Sequence, residues 1–200
     1  MSYSGSRPFT GELLNVLKEE KVRATFFVLG TNMDHDRSST RRLLKRMWNE
    51  GHDIGSHTYS HTDLTTMSDE QIIWEMEKTD EIIRDAIGVY PVAMRPPYGT
   101  IDWRTCRLLN GLRYNVVNWN IDSDDWKCPP DFPGHVAGMI PKRCSRNWES
   151  SYIILQHDTH KWTVEAARAI IKDIRSKGYK FVNLSECLGD LSLYRKKRPE

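Results

Sequence analysis

Apolar, strand-like runs alternate with amphipathic helical stretches along the whole chain, and this alternation limits the possible folds more than any other feature. One long helix is predicted between Ser68 and Gly88, because Ser68 and Gln71 form a capping-box pattern and a glycine follows the last apolar residue. Repeated strand–helix units predict an α/β fold with a parallel sheet, either open and doubly wound or closed into a barrel. The strand-like runs are VRATFFVLG, HDIGSH, PVAMRPPYG, YNVVNWNID, SSYIILQHD and the first part of YKFVNLSECLG.

Composition excludes several classes of protein. The 200 residues are 38% hydrophobic and 28% charged, which predicts a soluble globular protein, and the formal net charge of +2 is too small to argue for nucleic acid. No apolar run approaches the roughly 18 residues of a membrane helix. No G-x-G-x-x-G follows the first strand, which disfavours dinucleotide binding. We predict one domain over residues 1–190, followed by a basic tail over 191–200 that carries the cluster RKKRP.

The N-terminus and the cysteines leave two questions open. The first residues, MSYSGSRPFTGELL, contain no apolar signal core, so either the protein is cytosolic or the chain lacks its natural beginning. Two disulfides are possible if the protein is secreted, and four free thiols are the alternative. None of the cysteines forms a C-x-x-C pair, which makes a zinc ribbon improbable. The four are Cys106, Cys128, Cys144 and Cys187.

Polar side chains fall at or just after the carboxyl ends of predicted strands. In parallel α/β barrels this is the face on which active sites are built. The sequence therefore predicts one functional site to which several strands contribute. The residues in these positions are His57, Arg95, Asp122, Asp125 and His157.

A pair of histidines suggests a metal. His57 and His61 are four residues apart in HTYSH, and imidazole nitrogens suit zinc. H-E-x-x-H is absent, because Tyr59 and Ser60 fill the middle of the motif, so the usual metalloprotease interpretation fails. A pair of histidines alone is more often structural, and a third ligand is needed to make a metal site.

Two further motifs carry chemistry. The two prolines of MRPPYG make a rigid turn that can aim Arg95 and the backbone N–H of Tyr98 into a pocket. DSDDW supplies Asp125, and ILQHD supplies His157 at a strand end. A buried aspartate can hold a histidine in one tautomer and favour its charged form, and such a histidine can protonate a leaving amine.

Together, HTYSH, RPPYG, DSDDW and LQH, with the strand ATFFVLG, resemble the NodB-homology polysaccharide deacetylases of the carbohydrate esterase family 4 type, over nearly the whole chain. RPPYG and WNIDSDDW look most like fungal chitin deacetylases. The resemblance implies a distorted, incomplete (β/α) barrel, here lacking its first strand. It also implies an extracellular or cell-wall hydrolase that removes N-acetyl groups from chitin or a related N-acetylglucosamine polymer, with peptidoglycan or another polysaccharide as the alternative substrate. The expected cofactor is Zn²⁺ or another divalent metal such as Co²⁺, and we expect a monomer.

The resemblance also assigns roles to single residues. It implies metal ligands at His57 and His61, a general acid at His157, and an aspartate at Asp125 that orients this acid. Arg95 would orient the catalytic base. The substrate-binding residues that it implies are Pro97, Tyr98 through its backbone N–H, and Trp126 and Leu155 around the acetyl methyl group.

The first family motif, Thr-Phe-Asp-Asp-Gly-Pro, is where the chain departs from the family. Aligned on Gly5, Tyr3 stands at the position of the base and Ser4 at that of the third metal ligand. Phenol, with a pKa near 10, is a poor base, and a neutral hydroxyl is a poor zinc ligand. Either the chain is an incomplete version of a longer secreted deacetylase, or it is a degenerate member that keeps the fold as a sugar-binding pseudoenzyme. A third possibility is replacement of the ligand from the loop with Asp34, His35 and Asp36.

Overall fold

The computed structural model describes residues 9–34, 36–127, 131–141, 151–189 and 191–197, and two compact units can be distinguished within them. The first unit consists of the described residues up to Val22 and of those between Trp119 and Phe181. The second consists of residues from Arg23 to Asn118 and of those from Val182 onward. Each unit is therefore built from two separate stretches of chain.

A four-stranded parallel sheet is the centre of the second unit. Its strands are arranged in the order β1-β2-β4-β5, and β1 and β2 are in register from Thr25 opposite Asp53 to Val28 opposite Ser56. Because all four strands are parallel, their carboxyl ends lie at one edge, where His57 follows β2 and Arg95 follows β4. The strands are β1 (Thr25–Val28), β2 (Asp53–Ser56), β4 (Ala93–Met94) and β5 (Asn115–Val116).

Gly55 permits the close packing of this sheet. A β-carbon at this position would lie 2.7 and 2.8 Å from two ring carbons of Phe27 and 2.9 Å from the carbonyl oxygen of Ala93. All four residues of β2 are buried, as expected for a central strand of a parallel sheet. The neighbouring strands can therefore approach β2 only because residue 55 has no side chain.

Helices pack beside this sheet, and the longest of them, α4 (Asp69–Ile87), has the predicted ends. Ser68 and Gln71 form the capping box, and Gly88 adopts the left-handed conformation (φ 84°) at the carboxyl end. A core cluster forms from Leu64, Ile72, Met76, Met94, Leu109 and Tyr114. The other helices of the unit are α2 (Gly30–Asp34), α3 (Arg37–Asn49), α5 (Trp103–Gly111) and α8 (Leu184–Cys187).

The first residues of the expected basic tail are structured. Strand β8 (Tyr194–Arg195) pairs antiparallel with β3 (Tyr90–Pro91), and the Tyr194 hydroxyl accepts a hydrogen bond of 2.7 Å from the backbone N–H of Ile54. Leu193 is buried. Folded structure thus continues beyond residue 190, although the predicted domain limits themselves stay a prediction.

The described residues of the first unit form a two-stranded parallel sheet and three α-helices. Ile121 pairs with Ile154 and Asp122 with Leu155, so the residues that follow both strands leave from the same edge. The helices enclose a core cluster of Ile121, Phe132, Val136, Ile140, Ala166, Ile170 and Ile174. The elements are α1 (Thr10–Glu19), β6 (Ile121–Asp122), α6 (Phe132–Met139), β7 (Ile154–Leu155) and α7 (Lys161–Ser176).

Some local predictions were wrong. YNVVNWNID forms two short strands in different sheets rather than one. The segment from Tyr179 to Asn183 is not a strand, because its aromatic side chains Tyr179 and Phe181 pack against the core cluster while its backbone joins no ladder. No helix within the described residues is long and apolar enough to cross a membrane. Tyr3, Ser4, Gly5 and the predicted loss of the first strand lie outside the described residues.

Candidate active site

His57 is held by the end of the neighbouring strand β1 and by the Arg95 backbone. Its backbone N–H donates to the Val28 carbonyl over 2.9 Å, and its Nδ1 lies 2.7 Å from the carbonyl oxygen of Arg95. A carbonyl can only accept, so Nδ1 carries the proton, and in the neutral ring the lone pair is on Nε2. This is the tautomer that a metal-binding histidine needs, with a backbone carbonyl fixing the ring.

His61 lies beside His57 and beside the proline turn. The ring centroids of His57 and His61 are 4.9 Å apart and nearly perpendicular, and those of His61 and Tyr98 are 4.7 Å apart. Thr58, His61 and Tyr98 all have left-handed backbone conformations, with φ of 67°, 61° and 60°. Such conformations are rare for non-glycine residues and gather at functional sites. The structure thus brings together His57, His61 and Tyr98, three of the predicted site residues.

Arg95 is buried, with 9% of its surface exposed. Its Nε donates to the Val117 carbonyl over 3.3 Å, and its guanidinium lies over the ring of Phe27, 4.4 Å from the centroid. Burial lowers the pKa of Arg95 to about 10, so the group remains charged near neutral pH. Arg95 follows β4 at the sheet edge where His57 follows β2, and its positive charge makes this edge attractive to an anion.

The turn after Arg95 contains two prolines with the backbone and burial expected of such a turn. Pro96 is extended (φ −70°, ψ 143°), as a residue before proline should be, and Pro97 is buried. The side chain of Tyr98 is 62% exposed. The Asn118 amide donates a hydrogen bond of 3.0 Å to the Gly99 carbonyl and so stabilises the end of the turn.

The first unit contains the second group of predicted residues, with Asp125 at its centre. The Asp125 side chain is fully buried (0% exposed). Its Oδ1 lies 2.7 Å from Nδ1 of His157, and its Oδ2 accepts from the His157 backbone N–H over 2.5 Å and from Oγ1 of Thr163 over 3.0 Å. Nε1 of Trp162 donates to the Asp125 carbonyl over 2.8 Å. The ring of His157 is therefore fixed, and its Nδ1–H donates to Oδ1 of Asp125.

The charge around His157 determines its protonation. Burial by itself would lower the pKa of His157, but the hydrogen bond and the charge of Asp125 outweigh it, with help from the charges of Asp122 and Asp158, and the pKa is raised above its ordinary value. Asp158 is a partly buried carboxyl whose pKa is raised by the loss of contact with water, and it accepts a hydrogen bond from Thr10. The surroundings of His157 thus favour the protonated form of its ring more than water does.

Two predicted substrate-binding residues flank this dyad. Leu155 is buried in β7, and Trp126 is 43% exposed with the Lys127 ammonium 4.6 Å from its ring centroid. His160 stacks on Trp162 at 4.7 Å, and burial lowers the pKa of His160. Sequence reasoning missed Trp162, Thr163 and Asp158, although all three follow the LQH motif closely.

The loop with Asp34 and Asp36, from which a replacement metal ligand is possible, makes other contacts. Asp34 accepts from the Tyr59 hydroxyl over 2.8 Å and pairs with Arg37, while Asp36 caps α3 by accepting from the Ser39 N–H. His35 lies outside the described residues. Both aspartates therefore serve the local structure.

The side chains of His57 and His61 offer two nitrogen donors to a divalent metal. The tautomer of His57 and the proximity of His61 suit zinc or cobalt. Among the described residues no group of three or more His, Cys, Asp or Glu side chains could hold a metal ion. The two imidazoles thus fit as two ligands of a divalent metal, and Ser4, which the sequence aligns with the family's third ligand, lies outside the described residues. Of the cysteines, Cys106 and Cys187 are free thiols, whereas Cys128 and Cys144 lie outside the described residues.

Comparison with known proteins identifies the class. The family model described as "Polysaccharide deacetylase" matches residues 4–117. The chain belongs to this family, the NodB-homology deacetylases, which hydrolyse N-acetyl amide bonds. The predicted fold class, the α/β fold of this family known as a distorted, incomplete (β/α) barrel, is confirmed.

Individual relatives are similar over most of the chain. Chitin deacetylase of Colletotrichum lindemuthianum is 38% identical over 190 residues, which span 93% of this chain and 77% of that protein. Its solved structure aligns with 98% of this chain and 89% of that chain at a TM-score of 0.88 and 34% identity. Peptidoglycan-N-acetylglucosamine deacetylase of Listeria monocytogenes is 33% identical over 92% of this chain, but this is only 37% of that protein.

A catalytically inactive relative has also been solved. A family pseudoenzyme from Bacillus anthracis aligns with 91% of this chain and 61% of that chain at a TM-score of 0.77 and 26% identity. A mutant of the same pseudoenzyme, with restored enzymatic activity, aligns with the same TM-score.

Proposed function

We propose that the protein is built to remove N-acetyl groups from a β-1,4-linked N-acetylglucosamine polymer, with chitin as the first candidate. The observation that carries the proposal is the Asp125–His157 dyad. A fully buried carboxylate fixes the Nδ1 proton of His157 and raises the pKa of this ring, so that the protonated imidazole can donate a proton from Nε2. Hydrolysis of an acetamide needs such a donor, because the amine is a poor leaving group until it is protonated.

The other roles follow residue by residue. His57 and His61 would hold a zinc or cobalt ion, which when bound would activate water and polarise the acetamide carbonyl. The backbone N–H of Tyr98 would donate to the oxygen of that carbonyl as negative charge develops. Trp126 and Leu155 would surround the acetyl methyl group.

The nature of the polymer is a proposal of the same kind. The relatives named above include a chitin deacetylase and a peptidoglycan deacetylase. The higher identity and coverage of the former support chitin, with peptidoglycan as the second substrate to test. Both polymers are cell-wall materials, so we propose an extracellular or cell-wall location. That the protein acts as a monomer is a separate proposal.

A second candidate function is sugar binding without turnover. It is favoured by Tyr3 and Ser4, which stand where the family has the base and the third ligand. The Bacillus anthracis relative is precedent for a family member without activity that a mutation restores. Such a protein would bind chitin oligosaccharides whether or not metal is present.

Acetate release from chitin oligosaccharides, with and without added zinc or cobalt, separates these functions. We would compare the protein with its Tyr3→Asp/Ser4→Asp variant, after circular dichroism has shown that both are folded. We expect release by the double variant and much less by the protein itself. His157→Ala in the double variant should abolish most turnover while zinc affinity stays nearly unchanged.

The outcomes are distinct. Equal acetate release by the unaltered protein would refute the idea that Tyr3 and Ser4 limit activity. Loss of zinc affinity in His157→Ala would show that His157 is a ligand rather than the acid. No release by any variant that binds both zinc and oligosaccharide would leave the sugar-binding function.

A further inference from the structure

The loop between the two candidate ligand histidines is held in an unfavourable shape. Thr58 and His61 both have left-handed backbone conformations, and Thr58 is β-branched, which makes positive φ especially costly. Such conformations persist only where the surroundings hold them. The question is therefore which groups of the protein hold residues 58–61.

Glu75 of α4 contacts this loop from the helix side. One carboxylate oxygen, Oε2, accepts from the backbone N–H of Tyr59 over 2.8 Å and from that of Ser60 over 2.7 Å. The other, Oε1, accepts from the Ser60 hydroxyl over 2.7 Å. Glu75 is only 2% exposed, so these bonds are made away from solvent. A single buried side chain thus accepts from three donors of the loop.

The carbonyl groups of the same loop are fixed from the other side. The N–H groups of Gly30 and Thr31 donate to the carbonyls of Thr58 and Tyr59 over 3.0 and 2.9 Å. A β-carbon at Gly30 would lie 2.9 Å from Cα of Tyr59, so the close approach needs glycine. Backbone N–H groups thus hydrogen-bond the loop on one side, and the Glu75 carboxylate hydrogen-bonds it on the other. Only the carboxylate can be replaced without altering the main chain.

The position of Glu75 argues that the carboxylate is kept for this contact. It lies on the buried face of α4 beside Ile72, Met76 and Thr79. A charged side chain is almost never placed there unless it is paired or fully hydrogen-bonded. All the hydrogen bonds described above are donated to Glu75, which suits an ionised carboxylate, since this form only accepts.

We propose that Glu75 is a positioning residue that fixes the loop between His57 and His61 so that both imidazoles face one metal ion. The inference rests on the proposed function for the identity of the ligands. Glu75 takes no part in the proposed reaction itself. Residues that orient metal ligands typically change metal affinity about 10- to 100-fold when they are replaced.

Zinc titration calorimetry and amide hydrogen exchange by NMR test this proposal. Glu75→Leu removes all acceptors at similar volume, and Glu75→Gln keeps one acceptor oxygen. We expect Glu75→Leu to raise the zinc Kd about 10- to 100-fold and Glu75→Gln to raise it by less than about 10-fold. The amides of Tyr59 and Ser60 should exchange faster in both variants. Glu77→Gln, the same change at an exposed position of α4, is the matched control and should alter neither quantity.

The two readouts separate this proposal from the proposed function. If Glu75→Leu does not fold, the Glu75→Gln variant decides, and unchanged exchange at Tyr59 and Ser60 would overturn the inference. Unchanged zinc Kd with faster exchange would also overturn it, because the loop would then not position the ligands. If the protein binds zinc in a Glu75-dependent way but no variant releases acetate, the inference stands and the proposed reaction fails.

Discussion

Replacing Thr163 by valine tests how much the buried Asp125 carboxylate depends on a single hydroxyl. Oγ1 of Thr163 donates to Oδ2 of Asp125 over 3.0 Å, and both side chains are buried. Valine has nearly the same shape but cannot donate. Because a hydrogen bond to a charged group contributes about 1.5–3 kcal/mol, Thr163→Val should lower the free energy of unfolding by about 2 kcal/mol. In a chain of this size this corresponds to roughly 4–8 °C in Tm.

Urea denaturation followed by circular dichroism is the assay, with two controls. Thr163→Ser keeps the donor and loses only a methyl group, so the loss should be about 1 kcal/mol or less. Ser123 is also buried, and its Oγ has no hydrogen-bond partner within the described part of the chain. Ser123→Ala should therefore not lower the free energy of unfolding, because it removes a buried hydroxyl without breaking a hydrogen bond. If Thr163→Val were as stable as the unaltered protein while Thr163→Ser was not, packing of the methyl group rather than the hydrogen bond would explain the site.

Two further predictions concern packing and pH. Gly55→Ala should lower the free energy of unfolding by about 1–3 kcal/mol, because the new methyl group would overlap the ring of Phe27. Gly111→Ala is the control, since nothing lies within 4 Å of a β-carbon at that position. A similar loss of stability in Gly111→Ala would refute the reasoning. His157 has a raised pKa when folded, so its protonation adds stability that is fully present below its ordinary value of 6.5 and is lost as the pH rises through the raised value. The difference in unfolding free energy between the protein and His157→Gln should accordingly be larger at about pH 5 than at about pH 9, and a difference that grows with pH would contradict this assignment.

The strand ends were predictable because the geometry of parallel sheets is general. His57 and Arg95 follow neighbouring parallel strands, and Asp125 and His157 follow another such pair, so sequence position alone placed each pair at one edge. The capping box at Ser68 was equally local. In these cases the information lies within a few residues of the feature itself.

Glu75 and Thr163 could not be found in the same way. Each lies in a helix, where a polar residue is usually assumed to face solvent. In α4, however, Glu75 falls into the spacing of the apolar face that includes Ile72, Met76 and Ile83, and this misplaced charge was a signal available in the sequence. The prediction of a strand in YKFVNL was wrong for a different reason. Apolar residues indicate burial, but they do not show whether the backbone joins a sheet.

The discontinuous course of the chain has a consequence for its biosynthesis. Helix α1 packs on α7, and Arg168 of α7 pairs with Glu20, which lies 148 residues earlier. At about 5–20 residues per second, a ribosome needs roughly 7–30 s to make the intervening chain. During this time α1 has no α7 to pack against, although Leu14 and Leu17 of α1 are buried in the finished protein. The nascent chain therefore offers an apolar helix to chaperones long before its own partner exists.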